Sequence, residues 1–393
     1  MKILIISPLM LAVPDVQGGA IERLITMLLE QNEIHKKVEL CVVSVFNAEA
    51  ERIASKYKSS KVVYIRNINK TIQLLYAYFR AAMYKFLKVE VQIYDLNFLK
   101  VMKILSKEKP DIIVMEGGGG ENLCLASKYY GSKKFYLHLH HKYDSNKIIG
   151  KTYGNVISVS NFILDEWMKK NTNKDLNTYI VPNCIDNNRF QKKISEVEYK
   201  QLREELGYAE EDFVVIYCGR IIPEKGIREL LKAFKLVDNE NIKLLMIGSP
   251  NFAVVCETKF SEEIDERIKK MDNVQWIGYI NNDNLYRYYQ ISDLMIVPSI
   301  CEEASGLVVI EGMTSGLPIL ATRSGGLPEN VSSKCAVLVE RDEDLSEKLA
   351  ESINWFYQHP EQRKKMADAA LKKSEDFFIE KYYQDFMEVF ENE

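Results

Sequence analysis

The stretch LMIVPSICEEASGLVVIEGMTSGLPILAT (294–322) contains one full repeat of the fold. An apolar run ends at Ser299, a short polar loop follows, a helix pattern opens at Gly306, and a second apolar run closes the stretch at 318–322. Strands that are covered on both faces are apolar along their whole length, and parallel neighbours need a helix between them. The stretch therefore predicts a strand, a helix and a second, parallel strand.

The same alternation fills most of the chain, in two series separated by a polar segment at 187–212. The apolar runs of the first series are KILIISP (2–8), VELCVVSV (38–45), KVVYIR (61–66), DIIVMEG (111–117), KFYLHLH (134–140), VISVS (156–160) and TYIVPN (178–183). Those of the second are FVVIYCG (213–219), KLLMIG (243–248), VQWIGYI (274–280), LMIVPS (294–299), PILAT (318–322) and CAVLVE (335–340).

This pattern predicts an α/β protein with two doubly wound parallel sheets and a cleft between them, where the carboxyl ends of both sets of strands meet. A chain of 393 residues also exceeds what one hydrophobic core usually supports. The expected domains are residues 1–190, with a C-terminal helix at 376–393 packing back on them, and residues 191–375.

Composition narrows the class of protein. Residues 1–185 carry 26 Lys and Arg against 17 Asp and Glu, and the remainder carries 26 against 39, so the net charge of −4 conceals a basic half and an acidic half. No run approaches the roughly 18 unbroken apolar residues of a membrane span. The seven cysteines lie scattered without a CxxC pair, which favours reduced thiols. We expect a cytoplasmic protein without a nucleic-acid partner.

Charged side chains follow two strands of the second series. Arg220 and Lys225 come after one strand and before a helix pattern, whereas Glu303 and Glu311, eight residues apart, come after another. Fixed cations and the amino end of a helix suit a pyrophosphate. Carboxylates accept hydrogen bonds from the hydroxyls of a sugar or a ribose. The alternative for each residue is an ordinary surface charge.

Two features of the first series also follow strands. Gly18 and Gly19 precede the first helix pattern, where glycine lets a backbone approach a ligand closely. Strand alternation places His138 and His140 of FYLHLHHKY (135–143) on one face. One interpretation is a zinc site, but no further ligand lies nearer in sequence than Asp144. The favoured interpretation is a polar contact from His140 at the strand end, with His138 buried in the core.

The acidic triplet Asp342, Glu343 and Asp344 is of a kind that holds metal ions. Here it opens a long helix pattern, so helix capping explains it better. We expect no metal and no cofactor.

Together these motifs resemble the group 1, or family 4, retaining glycosyltransferases of bacteria, which have the GT-B fold of two facing Rossmann-like domains. The resemblance rests on GGAIE (18–22), the histidine-ended strand, ISVSN (157–161), VPNCID (181–186), GRIIPEKG (219–226), Glu303 with Glu311, and GLPENV (326–331). In the loop Glu303–Gly306 this chain has Ala304 and Ser305 where the family usually has proline and phenylalanine. The resemblance therefore does not determine which sugar is transferred.

The resemblance implies a role for each candidate residue. Arg220 and Lys225 hold the donor diphosphate, Glu303 contacts the donor sugar, Glu311 binds the ribose, and His140 lies beside the transferred sugar. The implied catalytic residues are Glu303, His140, Arg220 and Lys225. The implied donor-binding residues are Gly19, Arg220, Lys225, Gly248, Tyr279, Ile280, Glu303, Ser305, Gly306, Leu307 and Glu311, with the base beside Tyr279 and Ile280.

The expected function is metal-independent, retaining transfer of a hexose-type sugar from a nucleotide sugar, a UDP-sugar in the first instance, to a saccharide or lipid-linked acceptor in surface polysaccharide biosynthesis. The alternatives are a catalytically silent glycosyltransferase-like partner or chaperone, and a protein acceptor. A Rossmann dehydrogenase is disfavoured because GxGxxG is missing from the first turn.

The segment NKTIQLLYAYFRAAMYKFLK (69–88) predicts an amphipathic helix. Its apolar side would comprise Leu74, Leu75, Tyr78, Ala82 and Phe86. Its basic residues, Lys70, Arg80, Lys85 and Lys88, would be available to solvent or to lipid headgroups. Such a helix either docks on anionic lipid at the inner face of the cell membrane or packs its apolar side against the protein core. The sequence alone does not decide between these two interpretations.

Overall fold

The computed structural model describes residues 1–88, 92–118, 120–173, 175–250 and 258–391. The chain forms two compact units, one of residues 1–182 with 382–393 and one of residues 183–381. The division falls at 182 rather than 190 because Ile185 and Phe190 pack in the core of the second unit.

Unit 1 is built on a seven-stranded parallel sheet in the order β3-β2-β1-β4-β5-β6-β7. Its strands are β1 Lys2–Ile6, β2 Glu39–Val45, β3 Ser60–Ile65, β4 Ile112–Glu116, β5 Phe135–Leu139, β6 Asn155–Ser158 and β7 Asn177–Ile180. Its helices are α1 Ala20–His35, α2 Ala48–Ala54, α3 Lys70–Leu87, α4 Asn97–Glu108, α5 Cys124–Tyr130, α6 Lys147–Thr152 and α7 Asn161–Lys170, with 3₁₀ turns at Gly120–Leu123 and Ser132–Lys134.

Unit 2 is built on a six-stranded parallel sheet in the order β10-β9-β8-β11-β12-β13. Its strands are β8 Phe213–Cys218, β9 Ile242–Ile247, β10 Val274–Trp276, β11 Leu294–Val297, β12 Ile319–Thr322 and β13 Ala336–Val339. Its helices are α8 Asn187–Phe190, α9 Glu196–Glu205, α10 Ile227–Leu236, α11 Lys259–Ile268, α12 Leu285–Gln290, α13 Leu307–Thr314, α14 Leu327–Asn330, α15 Leu345–Gln358 and α16 Pro360–Ser374, with 3₁₀ turns at Pro223–Lys225, Asn282–Asn284 and Glu375–Phe377.

The two sheets share one topological feature that locates a ligand site. In each unit the first strand lies beside the fourth, β1 beside β4 and β8 beside β11. The chain leaves such a pair of strands in opposite directions, so a crevice opens at their carboxyl ends, where doubly wound folds bind ligands. The predicted α/β class with two parallel sheets is confirmed.

The last helix, α17 (Ile379–Glu391), returns the chain to unit 1. The Tyr383 hydroxyl donates a hydrogen bond to Asn32 Oδ1 of α1 at 2.8 Å. The Phe386 ring lies 6.0 Å from that of His138 on β5, and the Phe390 ring lies 5.0 Å from that of Tyr136. The aromatic face of this helix therefore completes the core over the middle of the sheet.

Helix α3 differs from every other long helix of unit 1, because no residue along it is buried. It is attached through one polar stripe: Gln73 donates to Asp95, the Tyr76 hydroxyl donates to the Ile93 carbonyl, and Arg80 stacks 4.1 Å over Tyr94. More than half of the surface is exposed in Ile72, Leu74, Leu75, Tyr78, Phe79, Tyr84, Phe86 and Leu87.

Two expectations for this helix are thereby corrected. Its apolar side is not the packing face of a core helix. Arg80, which the sequence placed among the solvent-facing cations, packs on the protein instead, because the helix turns its polar stripe inward. Within the described ranges, no helix has the length and apolar character that a membrane crossing requires.

Candidate active site

In unit 2, the crevice between β8 and β11 brings together two of the predicted residues. Lys225 follows β8 and Glu303 follows β11, and Lys225 Nζ lies 2.5 Å from Glu303 Oε1. The Ser299 hydroxyl donates to the same oxygen at 2.5 Å. Both charged side chains are mostly shielded from solvent, with 20% and 14% of their surfaces exposed. Lysine and glutamate side chains are seldom this well buried unless they are paired, so this ion pair is not an ordinary contact between surface charges.

Gly226 is what allows this approach. It has φ +71°, and a Cβ atom there would lie 1.9 Å from the Pro298 carbonyl oxygen. Only glycine therefore lets the backbone next to Lys225 touch the end of β11. The start of α10 is thus held directly against the strand that carries Glu303.

The loop that carries Glu303 is held by residues that sequence reasoning missed. The Ser324 hydroxyl accepts from the Glu303 amide at 3.1 Å, and the Gly326 amide donates to the Glu303 carbonyl at 2.8 Å. The Asn330 side chain donates to the Ser305 carbonyl. All three partners follow β12, within or beside the GLPENV motif, which is the signal that could have pointed to them.

The helix after this loop supplies a second kind of binding group. Gly306, at φ +73°, is the N-cap of α13, and Leu307 is the first residue of the helix. The first-turn amides of a helix have no partner within it, and they carry the positive end of its dipole. Beside Lys225, such amides suit a phosphate group.

Glu311 lies within α13, where the Tyr289 hydroxyl donates to its Oε2 at 2.8 Å. Burial raises the pKa of Glu311 to about 7, against the opposing effect of the Tyr289 hydrogen bond. The carboxyl group is therefore poised to change its charge near neutral pH. Tyr289 is another partner that the sequence did not reveal.

Four further predicted residues follow strands of unit 2. Arg220 is exposed just after β8, and Tyr279 is exposed and Ile280 half-buried after β10. At Gly248, the amide donates to the Gly278 carbonyl, and a Cβ atom would lie 1.8 Å from the Gly219 carbonyl oxygen. Close packing of two loops therefore accounts for glycine at this position.

In unit 1, the glycine pair after β1 is engaged by the protein itself. Asp15 Oδ1 accepts hydrogen bonds from the amides of Gly18 at 2.7 Å and Gly19 at 3.1 Å. A Cβ atom on Gly19 would lie 2.1 Å from the buried Glu22 carboxylate. In this conformation the Gly19 amide is not available to a phosphate.

His140 lies with His138 and Glu116 at the carboxyl ends of β4 and β5. Its Nε2 is 2.6 Å from Glu116 Oε2, and His138 Nδ1 is 3.0 Å from the same oxygen. Their three ligand atoms lie within 4.8 Å of one another, which makes this the group of described residues arranged closely enough to be considered for a metal ion. Sequence reasoning missed Glu116, although it ends an apolar strand that neighbours the histidine strand.

The pKa values in this cluster define its charges. Burial opposes ionisation of Glu116, yet the two histidines hold its pKa down at about 2. Burial and the neighbouring His138 lower the pKa of His140 to about 4, although Glu116 acts in the opposite direction. At neutral pH, Glu116 is therefore ionised and His140 is neutral.

The acidic triplet before α15 is assembled differently from the predicted cap. Asp344 occupies the N-cap position without a capping hydrogen bond from its side chain, and Asp342 pairs with Lys348 instead. The capping explanation is therefore wrong for the Asp344 side chain. The Asp342 carboxylate is the one that accepts a hydrogen bond from a backbone amide at the start of the helix, that of Asp344, besides pairing with Lys348.

Comparison with known proteins identifies relatives of unit 2 most clearly. The family model "Glycosyl transferases group 1" matches residues 198–373. The lipopolysaccharide 1,2-N-acetylglucosaminetransferase of Salmonella typhimurium is 35% identical over 161 residues, 39% of this chain and 40% of that protein. The chain thus spans less than half of that relative's length. Spore coat protein SA of Bacillus subtilis is 22% identical over 96% of both chains.

The fold of the whole chain also has solved counterparts. HepE of Anabaena, in complex with UDP, matches with a TM-score of 0.74 and 19% identity over 99% of both chains. A glycosyltransferase from Rickettsia africae matches with a TM-score of 0.76 and 18% identity, covering 100% of this chain and 99% of that one. The GT-B fold expected from the sequence is confirmed.

Proposed function

We propose that this protein transfers a hexose-type sugar from a UDP-sugar, with retention of configuration, to a saccharide or lipid-linked acceptor. The match of residues 198–373 to the family model of group 1 glycosyl transferases supports this proposal. The observation that carries the proposal is the Lys225–Glu303 pair at the sheet crevice, beside the amino end of α13. A cation and helix amides suit a diphosphate, and a neighbouring carboxylate suits a sugar.

In the proposed complex, Lys225 and Arg220 balance the charge of the diphosphate, and amides from Ser305 to Leu307 contact it. Glu303 then accepts hydrogen bonds from sugar hydroxyls, and Glu311 accepts them from the ribose. Without a donor, Lys225 and Glu303 neutralise each other. Binding a diphosphate exchanges one anionic partner of Lys225 for another, so the lysine stays paired throughout.

The proposed reaction is a front-face substitution. The acceptor oxygen bonds to the anomeric carbon as the bond between that carbon and the diphosphate oxygen breaks, and the departing diphosphate oxygen takes the acceptor's proton. Negative charge grows on the leaving group, so Lys225 and Arg220 act where the transition state needs them. These cations and the helix amides do the work for which other enzymes use a divalent metal, and we propose that transfer needs none.

The proposal is tested with a panel of nucleotide sugars. Thermal stabilisation identifies the donor, since a ligand at a hundred times its dissociation constant adds about 2.7 kcal/mol. Transfer of the labelled sugar is then measured in EDTA, with hydrolysis of the donor as a second readout. Stabilisation followed by EDTA-resistant transfer supports the proposal, whereas loss of transfer that manganese restores overturns its metal-independent form.

A second candidate function is a silent, glycosyltransferase-like protein of an assembled structure. The observation that favours it is the likeness, over 96% of the chain, to a protein named as a spore coat component. It predicts no transfer or hydrolysis from any donor, so the same assay separates the two functions.

We further propose that donor binding depends on the charge of Glu311. Its pKa of about 7 means that lowering the pH from 8 to 6 protonates most of the carboxyl groups. If only the carboxylate accepts from the ribose, the dissociation constant of the UDP-sugar rises up to about tenfold at pH 6. Calorimetric titration between pH 6 and 8 measures this. A UDP-sugar is used because its diphosphate does not titrate between pH 6 and 8. The terminal phosphate of UDP would titrate in that range and obscure the effect of Glu311.

Glu311→Gln is the matched control, because the amide keeps the size of the side chain and cannot ionise. Its binding should be weaker at pH 8 and constant across the range. A pH dependence that persists in Glu311→Gln would assign the titration to another group.

The exposed helix α3 supports a proposal about the acceptor. Its uncovered apolar side chains are flanked by the exposed Lys70, Lys85 and Lys88, on a unit with an excess of basic residues. Apolar side chains among lysines are the pattern that inserts at the surface of an anionic bilayer. We propose that the protein docks through α3 on the cytoplasmic face of the membrane, where a lipid-linked acceptor would lie.

Vesicle sedimentation measures this docking. Binding is expected to vesicles with anionic lipid and not to neutral ones. Each juxtamembrane lysine contributes about 1 kcal/mol, so Lys70, Lys85 and Lys88→Gln together should weaken binding by roughly a hundredfold. Added salt should weaken binding in the wild type. The matched control, with the same change of charge, is Lys364, Lys365 and Lys372→Gln on α16. Equal binding to neutral vesicles, or self-association that buries α3, would contradict docking on lipid.

A further inference from the structure

The Glu116–His138–His140 cluster contains a residue with no role in the proposed function as described so far. Glu116, the last residue of β4, pairs in register with His138 on β5, and His140 follows two residues later. All three residues are buried. The sheet therefore holds one carboxylate against two imidazoles at the carboxyl ends of β4 and β5.

The geometry fixes the position of one proton. Glu116 Oε2 and His140 Nε2 are 2.6 Å apart. An ionised carboxylate can only accept a hydrogen bond, so Nε2 carries the proton. The other ring nitrogen, Nδ1, is left with its lone pair. It is buried and has no hydrogen-bond partner within the described part of the chain, so it is an unsatisfied acceptor.

The same distances disfavour a metal ion between these groups. Two ligands bonded at about 2.0 to 2.1 Å in a tetrahedral zinc site lie more than 3 Å apart. The 2.6 Å and 3.0 Å separations fit direct contact between the carboxylate and the rings better. The cluster is also short of a fourth protein ligand among the described residues.

Neighbouring rings keep His140 in place. The His138 ring lies 4.1 Å from it, centroid to centroid, and the Phe386 ring of α17 lies 6.0 Å from that of His138. With Glu116 fixing the rotation of the ring and His138 covering its face, His140 is held in a single orientation.

We propose that Glu116 is a positioning residue that holds His140 as its Nε2–H tautomer, so that Nδ1 accepts a hydrogen bond from a hydroxyl of the sugar substrate. The identity of the substrate in this proposal rests on the proposed function. The tautomer of His140 does not depend on that function, and it is tested separately.

The first test is nitrogen NMR of the protein labelled in its histidines, with His140→Asn to assign the signal. The wild type is expected to show the Nε2–H tautomer of His140. Glu116→Gln retains an accepting oxygen and should keep this tautomer, whereas Glu116→Leu should give a mixture. An Nδ1–H or doubly protonated His140 in the wild type overturns the proposal, as does stoichiometric zinc binding that depends on the three residues.

The second test is a double-mutant cycle on transfer activity. Glu116→Leu is expected to lower kcat on the order of 10- to 100-fold through the displaced ring, with partial recovery in Glu116→Gln. In a His140→Ala background, Glu116→Leu should change the remaining rate less than about twofold. Additive losses would overturn the proposal. If the wild type transfers no sugar at all, the proposed function fails, and the NMR result alone decides on Glu116.

Discussion

Lys225→Ala is expected to lower kcat at saturating donor by on the order of 100- to 1000-fold, the usual effect of removing one fixed group that stabilises charge in the transition state. Lys225 lies 2.5 Å from Glu303 and follows the strand whose crevice the donor would occupy. Its proposed partner is the leaving diphosphate, whose charge grows during the reaction, so the loss should appear in kcat more than in KM. Steady-state rates with the donor identified by thermal stabilisation measure it.

Lys232→Ala is the matched control, since Lys232 is an exposed lysine on α10 that pairs with Glu347. It should keep the wild-type rate. Arg220→Ala should show a large loss of the same kind as Lys225→Ala. Full activity in Arg220→Ala or Lys225→Ala, with the protein folded, would remove these residues from the diphosphate site.

Gly226→Ala is expected to lower the stability of unit 2 strongly. The added Cβ atom would lie 1.9 Å from the Pro298 carbonyl oxygen, and the residue would be held at φ +71°. Left-handed strain costs about 1 to 2 kcal/mol and overpacking a further 1 to 3. The sum, about 2 to 5 kcal/mol, would lower the melting temperature of a unit of this size by roughly 4 to 20 °C.

Gly207→Ala separates the two causes, because Gly207 has φ +73° with nothing within 4 Å of the added atom. It should lose only the left-handed term, about 1 to 2 kcal/mol. Differential scanning calorimetry of both variants provides the comparison. Equal losses in the two would mean that the contact with Pro298 relaxes without cost.

The sequence predicted the strands well because buried parallel strands are apolar throughout, and each quoted apolar run overlaps one strand, which begins no more than one residue before the run. It also predicted that Lys225 and Glu303 follow strands. Their direct contact could not be read from it, because 78 residues separate them and only the strand order places β8 beside β11. Glu116 was missed for the same reason: its neighbour His138 lies on the next strand of the sheet, and single-sequence patterns carry no strand order.

Helix α3 shows a different limit. Its periodicity gave the helix to within a residue at either end, but two outcomes were consistent with one apolar side. The stripe of the helix that faces the protein is polar. The sequence of the helix does not reveal this, because the stripe is defined by its contacts with Asp95, Ile93 and Tyr94. Periodicity reports which residues share a face, and tertiary contacts decide which face is covered.

The return of α17 to unit 1 has a consequence for biosynthesis. Unit 2 is one continuous segment, residues 183–381, whereas unit 1 needs residues 382–391 to place Tyr383, Phe386 and Phe390 in its core. Domains that emerge first from the ribosome usually fold first. Here the earlier-made unit leaves its central aromatic layer open until α17 has left the ribosome, by which time the later-made unit already has its whole sequence.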